Sequence, residues 1–349
     1  MESYIDLLCE MIRMRPVSRD IAAVNRVQHR VQEFLSEKGL FCTMENDGER
    51  DVLFAATTPG KVQDILLCAH LDVVPAEKEE QYEPYICEGI LYGRGSSDCM
   101  GNAISCMKAM CDAPKGASIG CIFTGDEEIG GKTTAYMVEQ GYSARKIGLV
   151  MDSGGAVYYA QKGILNLKVI ARGNGGHSSR PWGFDNPVLK LIDGLHKLFE
   201  KWENPANGDD WRLSMAPTIL RAGNAPNRIP DVAEAVLNLR LVNLEEKEAM
   251  IAFVRETTGL EVEAGECCDP FASPVETEEM KRVLAAYAKA FGKEGGPLRM
   301  CGATDARHLY KIGVPVYVSG INGSGAHSVD EKLELDSLKK GAAMILDLL

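Results

Sequence analysis

Residues 65–72, Ile-Leu-Leu-Cys-Ala-His-Leu-Asp, join an unbroken apolar run to a histidine and an aspartate. Such a run is typical of a strand that is buried on both faces, as in a parallel sheet covered by helices. Side chains two positions apart in a strand share a face, so His70 and Asp72 are expected on the same side of the strand end. This stretch predicts a central strand that presents polar side chains at its carboxyl end.

Strands and helices alternate along residues 1–162 and again along residues 269–349. Further strands are expected at residues 52–55, 119–123, 147–151 and 314–318, and helices at residues 3–14, 20–38, 102–111, 132–140, 276–291, 305–311 and 335–348. Alternation of this kind predicts an α/β domain with a mixed, largely parallel sheet flanked by helices.

Residues 163–268 carry a different order of elements, β-α-β-β-α-β, which predicts a small α+β sandwich with one antiparallel sheet and two helices. The simplest organisation is one α/β domain, residues 1–162 and 269–349, with residues 163–268 inserted as a second domain. An inserted sandwich with an exposed sheet edge or helical face suits a two-fold interface, so we expect a homodimer.

The composition argues against several classes of protein. A formal net charge of −12 disfavours nucleic-acid binding, which needs a basic face. No apolar run reaches the about 18 residues of a membrane span, and the first residues lack the basic start of a signal peptide. The 11 cysteines include no CxxC pair, so we interpret most of them as buried hydrophobes in a reducing, cytoplasmic compartment.

Acidic residues and histidines stand where predicted strands or glycine-rich turns end. They are His70, Asp72, Asp98, Glu127, Glu128, Asp152 and His327. Ligands bind outside the carboxyl ends of the strands in an open α/β sheet, so these side chains are expected to converge there. Carboxylate oxygens and imidazole nitrogens are zinc ligands, and a spare glutamate can transfer the proton. The pattern predicts hydrolysis assisted by a bound divalent metal.

Six short motifs follow one another along the chain. They are Ala69-His70-Leu71-Asp72-Val73-Val74-Pro75, Gly93-Arg94-Gly95-Ser96-Ser97-Asp98, Thr124-Gly125-Asp126-Glu127-Glu128, Gly175-Gly176-His177-Ser178, Asn227-Arg228-Ile229-Pro230 and Gly325-Ala326-His327-Ser328. Together they resemble the co-catalytic di-zinc exopeptidase and deacylase family, which includes tripeptidases, dipeptidases, aminoacylase, acetylornithine deacetylase, succinyl-diaminopimelate desuccinylase and carboxypeptidases of the G type. The resemblance implies a zinc-binding catalytic domain, residues 1–162 and 269–349, and a lid and dimerisation domain, residues 163–268.

The resemblance also implies a site for two divalent metal ions, with zinc as the first choice and cobalt or manganese as alternatives. Asp98 is then the bridging ligand. The remaining ligands are His70 and Asp152 at one metal, and Glu128 and His327 at the other.

The resemblance implies that two further acids, Glu127 and Asp72, act without binding metal. Glu127 is the general base, which takes a proton from a water held between the metals and passes it to the leaving amine. Asp72 bonds the far nitrogen of His70 and fixes its tautomer. A bound metal lowers the pKa of water from about 15.7 toward roughly 7, which makes the bridging hydroxide available at neutral pH.

Four residues are candidates for contact with the substrate. The resemblance implies that His177 polarises the substrate carbonyl from the partner subunit, and that Asn227 lies near the substrate. Gly325 belongs to the same motif as His327 and is also assigned to substrate binding. Arg240 can hold a substrate carboxylate by a two-pronged contact or form a surface salt bridge, and the sequence leaves both open.

Two positions depart from the family pattern. Met100 stands where the family often has lysine, with little expected effect because neither residue is a ligand. Asp152 stands where deacylases and carboxypeptidases of the family tend to have glutamate, whereas its tripeptidases and dipeptidases tend to have aspartate. This favours a di- or tripeptidase or aminopeptidase, with a deacylase of N-acyl amino acids as the alternative.

Other interpretations explain less of the sequence. The glycine-rich residues 93–98 resemble a dinucleotide-binding fingerprint, but Asp98 replaces the third glycine and would repel a pyrophosphate. A non-catalytic binding protein on this scaffold would be expected to lack at least one of the catalytic or metal-binding residues, and none is missing. Three further histidines are expected to have structural roles; they are His29, His196 and His308.

Overall fold

The apolar strand predicted at residues 65–69 lies inside a nine-stranded sheet of the computed structural model, which describes residues 1–349. Up to residue 161 the strands are β1 (Phe41–Asn46), β2 (Asp51–Ala56), β3 (Val62–His70), β4 (Tyr85–Cys87), β5 (Ile90–Tyr92), β6 (Ile119–Thr124), β7 (Ser143–Met151) and β8 (Tyr158–Gln161). The helices of this part are α1 (Glu2–Arg13), α2 (Ile21–Glu37), α3 (Met100–Asp112) and α4 (Lys132–Glu139).

The middle of the chain contributes strands β9 (Gly163–Arg172), β10 (Gly176–His177), β11 (Ser214–Ala222), β12 (Arg228–Ile229), β13 (Val232–Leu241) and β14 (Glu261–Cys268), with helices α5 (Pro187–Lys201) and α6 (Glu246–Thr258). The last part contributes β15 (Phe271–Ala272), β16 (Leu298–Met300), β17 (Val316–Ser319), β18 (Gly323–Ser324) and β19 (Lys332–Glu334), with helices α7 (Glu278–Phe291), α8 (Ala306–Leu309) and α9 (Leu335–Leu346).

The nine-stranded sheet has the order β1-β2-β6-β3-β7-β17-β8-β15, and β16 pairs with β8. Strand β3 runs parallel to β6 and β7, and β17 runs parallel to β7. His70 pairs with Thr124 across β3 and β6, and Met151 pairs with Ser319 across β7 and β17. The carboxyl ends of these four strands therefore lie side by side at the same end of the sheet. The predicted fold class, an α/β domain with a largely parallel sheet, is confirmed.

Helices pack on this sheet and bury its central strand. Helix α3 contacts β3 as well as α1 and α9, whereas α2 contacts β1 and β2, and α4 contacts β6. Residues 65–69 of β3 are at most 2% exposed, which accounts for their unbroken apolar character. None of the nine helices combines the length and the apolar composition that a membrane span requires.

The chain divides into two compact units. The first contains Met1–Ala160, Ala272–Arg299 and Thr304–Leu349, and the second contains Gln161–Phe271 and Met300–Ala303. The second unit includes the segment that was predicted to be inserted, residues 163–268, together with short flanking stretches.

The second unit is built on a four-stranded antiparallel sheet of order β11-β13-β9-β14, with α5 and α6 packed on it. Alternate residues of β13 are buried, from Ala233 to Leu241, because successive side chains of a strand point to opposite faces. Apart from the two-residue strands β10 and β12, the elements follow the predicted order β-α-β-β-α-β. Strand β11 forms one edge of the sheet.

A third, small sheet of order β18-β19-β5-β4 belongs to the first unit. Strand β19 pairs antiparallel with β5, so that Lys332 lies opposite Tyr92. The turn at residues 93–98 follows β5, and the loop at residues 325–331 precedes β19. This pairing therefore brings together two loops that are more than 200 positions apart in sequence.

Candidate metal centre

His70, the last residue of β3, and Asp72, in the loop after it, lie side by side in the interior. The Nδ1 atom of His70 lies 2.9 Å from the backbone oxygen of Asp72 and 3.4 Å from its carboxylate. The Asp72 carboxylate also accepts the backbone N–H groups of Glu127 and Glu128, at 3.2 and 3.4 Å. Asp72 therefore holds the imidazole mainly through its backbone, while its carboxylate anchors the turn that carries both glutamates.

The five predicted ligands form one continuous chain of contacts. Its order is Asp152, His70, Asp98, His327 and Glu128. The Nε2 atom of His70 lies 3.0 Å from one oxygen of Asp98 and 3.4 Å from Asp152. The Nε2 atom of His327 lies 3.3 Å from the other oxygen of Asp98 and 3.0 Å from Glu128. Asp98 thus presents one oxygen to each histidine.

This donor set fits divalent cations. Tetrahedral ligands at about 2.0–2.1 Å from zinc lie about 3.3 Å apart, close to the separations within this chain. Ligand atoms of His70, Asp98 and Glu128 lie within 4.8 Å of one another, and so do those of His70, Cys99 and Asp152. Several carboxylates packed together need compensating positive charge, which a cation bound here would supply.

Burial and mutual contacts shift the pKa values of Asp152 and His327 strongly. Burial raises the pKa of Asp152 to about 6. Hydrogen bonds to Asp98 and Glu128 raise the pKa of His327 to about 10. Asp98 and Glu128 thus favour the protonated, positively charged form of His327, as expected of acidic groups arranged to hold a cation.

The adjacent residues Glu127 and Glu128 face different partners. Both lie in a single 3-10 turn, Glu127–Ile129, directly after β6. Glu128 reaches His327, whereas a carboxylate oxygen of Glu127 lies 3.3 Å from Nη2 of Arg307, which also donates to the Glu127 backbone oxygen at 3.2 Å. Burial, followed by the nearby charges of Asp152 and Asp305, raises the pKa of Glu127 well above its usual range. A carboxyl with a raised pKa is suited to carry a proton.

Two residues of this centre were missed in the sequence. Arg307 lies on α8 and is buried against Glu127, next to His308, for which only a structural role was expected. The imidazole of His308 does lie 2.9 Å from the backbone oxygen of Gly130, in keeping with a structural role. Glu331 is buried beside the turn that carries Asp98. The position of Glu331, four residues after His327, was the only feature of the sequence that could have linked it to the centre.

The other candidates occupy different surroundings. His177 and Arg228 are paired across β10 and β12, Ser178 donates to the backbone oxygen of Asn227, and Ser179 lies 2.8 Å from Nδ1 of His177. Arg240 donates to Asn238 at 3.1 Å and lines a cavity of about 350 Å³ within the second unit.

Gly325 lies in the first unit, in the loop that carries His327. Its φ of +78° is left-handed, and a Cβ there would lie 2.8 Å from the backbone oxygen of Asp330, so the loop requires glycine. A structural constraint therefore accounts for this glycine, and substrate binding by Gly325 stays a prediction.

The sequence pattern of peptidase family M20/M25/M40 matches residues 66–349. The succinyl-diaminopimelate desuccinylase of Caulobacter vibrioides is 25% identical over 364 aligned positions, which cover 96% of this chain and 92% of that protein.

Solved structures show the same fold. An M20 family metallo-carboxypeptidase, Sso-CP2 from Sulfolobus solfataricus, has a TM-score of 0.85 at 17% identity and covers 100% of this chain and 98% of its own. A tripeptidase from Staphylococcus aureus has a TM-score of 0.81 at 14% identity, with 99% and 96% covered. The architecture is therefore shared along the whole length of this chain.

Proposed function

The chain belongs to peptidase family M20/M25/M40 and is a metal-dependent hydrolase; from this premise we propose that it cleaves an amide bond in short peptides. The observation that carries the proposal is the position of Asp98, which offers one oxygen to His70 and the other to His327. This arrangement supports a centre for two cations with Asp98 shared between them.

The five residues of the contact chain would hold the cations, with His70 and Asp152 on one side of Asp98 and Glu128 and His327 on the other. Bound there, divalent cations polarise the amide carbonyl and make water more acidic. We propose zinc in both positions. Nitrogen and oxygen ligands also accept cobalt or manganese, so availability contributes to the choice.

Glu127 is the proposed general base and acid. Its carboxylate takes a proton from the attacking water as the oxygen bonds to the carbonyl carbon, and it returns the proton to the nitrogen as the C–N bond breaks. Arg307 orients this carboxylate through the contact at 3.3 Å. Asp72 holds the backbone of the same turn and the ring of His70.

The inserted segment, residues 163–268, is proposed to act as a lid and dimerisation domain. The edge strand β11 exposes Ile219 and Leu220, which are 41% and 60% accessible. An apolar, unpaired edge supports association with a second copy of the chain. In such a dimer His177 would polarise the substrate carbonyl from the partner subunit, with Asn227 near the substrate.

Arg240 is the proposed anchor of a substrate carboxylate. It lines the cavity of about 350 Å³ together with Lys162 and Asn204. Two cationic side chains beside one cavity favour an anionic group there.

We place the protein in the cytoplasm, because all 11 cysteines are unpaired, which suits a reducing compartment.

A deacylase of N-acyl amino acids is the second candidate. It is favoured by the desuccinylase from Caulobacter vibrioides, which aligns over 96% of this chain. The aspartate at position 152 favours the peptidase, because family peptidases tend to carry aspartate and deacylases glutamate at the matching position.

A substrate panel on zinc-loaded protein separates the two. We expect hydrolysis of free di- and tripeptides, with N-acetyl and N-succinyl amino acids cleaved poorly. Cleavage of the blocked amino acids alone would contradict the peptidase assignment and support the deacylase. Failure to cleave either set, with zinc bound, would contradict both.

A further inference from the structure

Glu331 is a buried carboxylate that no step of the proposed reaction uses. It immediately precedes β19 and is only 2% exposed. One carboxylate oxygen accepts from Nη1 of Arg94 at 2.7 Å and from the backbone N–H of Gly95 at 2.9 Å. The other accepts the backbone N–H groups of Ser97 and Asp98, at 3.0 and 3.1 Å. The Ser97 hydroxyl also donates to this second oxygen, at 3.4 Å, and all five donors belong to the turn at residues 93–98.

This turn wraps around the carboxylate as backbone N–H groups wrap around a bound anion. Because the backbone N–H of Asp98 is one of the donors, the carboxylate of Glu331 fixes the position of the Asp98 backbone. That side chain reaches His70 on one side and His327 on the other. A shift of this turn would change both separations at once.

The same residue also belongs to the loop that carries His327. A second tie joins this loop to the turn: Gln81 donates to the backbone oxygen of Ser328 at 3.0 Å and accepts from the backbone N–H of Arg94 at 2.8 Å. Glu331 itself is the stronger tie, since a charged acceptor with five donors forms stronger hydrogen bonds than a neutral amide.

We propose that Glu331 is a positioning residue that sets the separation between Asp98 and His327. It thereby sets the affinity of the centre for the cation on the Glu128 and His327 side. The inference rests on the proposed metal centre and adds to it a residue that touches neither cation nor substrate. Arg94 supports Glu331 with its charge, since it is buried, pairs through Nη1, and makes no protein hydrogen bond through Nε or Nη2.

The isosteric variant Glu331→Gln tests this inference. Each carboxylate oxygen accepts from two N–H groups, so whichever oxygen becomes an amide nitrogen will oppose two donors instead of accepting from them. Loss of a residue that orients a metal ligand typically weakens metal binding by about 10–100-fold, and we expect a loss of this size.

The measurement is binding of Co²⁺ and Zn²⁺ to the metal-free full chain by chelator competition, together with the visible absorption of the Co²⁺ form. Glu45→Gln is the matched control, because Glu45 also accepts a hydrogen bond, from Tyr142 at 2.7 Å, but lies on β1. Val283→Ala, in the core of the first unit, controls for general loss of stability. Both controls should bind Co²⁺ as the wild type does.

The outcomes separate this inference from the proposed function. Wild-type protein that binds no cation overturns both. Wild-type binding with unchanged affinity and an unchanged Co²⁺ spectrum in Glu331→Gln overturns the role of Glu331 alone. If the glutamine variant does not fold, Glu331→Asp, which keeps the charge but shortens the reach, replaces it. Undiminished Co²⁺ affinity in that folded variant overturns the inference equally.

Discussion

The substitution Glu127→Gln removes one titratable carboxylate and leaves the shape of the side chain unchanged. The glutamine keeps an oxygen that can accept from Arg307, which lies 3.3 Å from the native carboxylate. Neither contact of Glu128 with His327 involves this side chain. The variant is therefore expected to retain both cations and lose the transfer of the proton.

The size of the effect follows from that division of roles. A positioned general base contributes about 10²–10⁴-fold to a rate. At about 1.36 kcal/mol per factor of ten, this corresponds to a barrier higher by about 2.7–5.4 kcal/mol. Because Arg307 still finds an acceptor, we expect kcat to fall by this amount while KM changes little.

The assay is peptide hydrolysis at saturating zinc, combined with metal analysis of the dialysed protein. Glu128→Gln is the paired variant, and it should lose cation as well as turnover because it removes a ligand beside His327. Full turnover in Glu127→Gln would refute the assignment of the base. Loss of a cation from that variant would refute the separate roles of the two glutamates.

Two further predictions concern the metal centre and one concerns the edge strand β11. Asp72→Asn should weaken cation binding by about 10–100-fold, because an amide cannot accept the N–H groups of both Glu127 and Glu128 with two oxygens; unchanged affinity in a chelator competition would contradict this. Zinc at 100 times its Kd should stabilise the fold by about 2.7 kcal/mol for each bound cation over the chelated protein, and calorimetry that shows no response to zinc would contradict the centre. Leu220→Glu, on the exposed edge of β11, should convert a dimer into a monomer in light scattering, whereas Leu244→Glu, at a turn, should leave the dimer intact; a dimer in both variants would refute the proposed interface.

The elements of the fold could be predicted because their patterns are local. The run at residues 65–69 is apolar since β3 is buried on both faces, and the alternation along β13 reflects a sheet with one covered face. The same patterns located His70 and Asp152 at the carboxyl ends of parallel strands. Their chemical types then suggested a metal centre before any distance was known.

The partners within the centre could not be predicted in the same way. Nothing local indicates that Arg307 packs against Glu127, because the two positions are 180 residues apart. Nor does the sequence show that Asp72 approaches His70 chiefly through its backbone oxygen, or that its carboxylate accepts N–H groups from the distant turn that carries Glu127. Such contacts depend on which loops become neighbours once the sheet has formed.

The amino-acid sequence alone determined which residue types stand at the strand ends, since strand periodicity and glycine-rich turns are encoded by neighbouring residues. Only the tertiary structure decided that one oxygen of Asp98 faces His70 and the other faces His327, and that Glu331 holds the turn in place. The physical reason is the pairing of β5 with β19, a contact between distant segments whose free energy comes from the assembled sheet and not from either segment by itself.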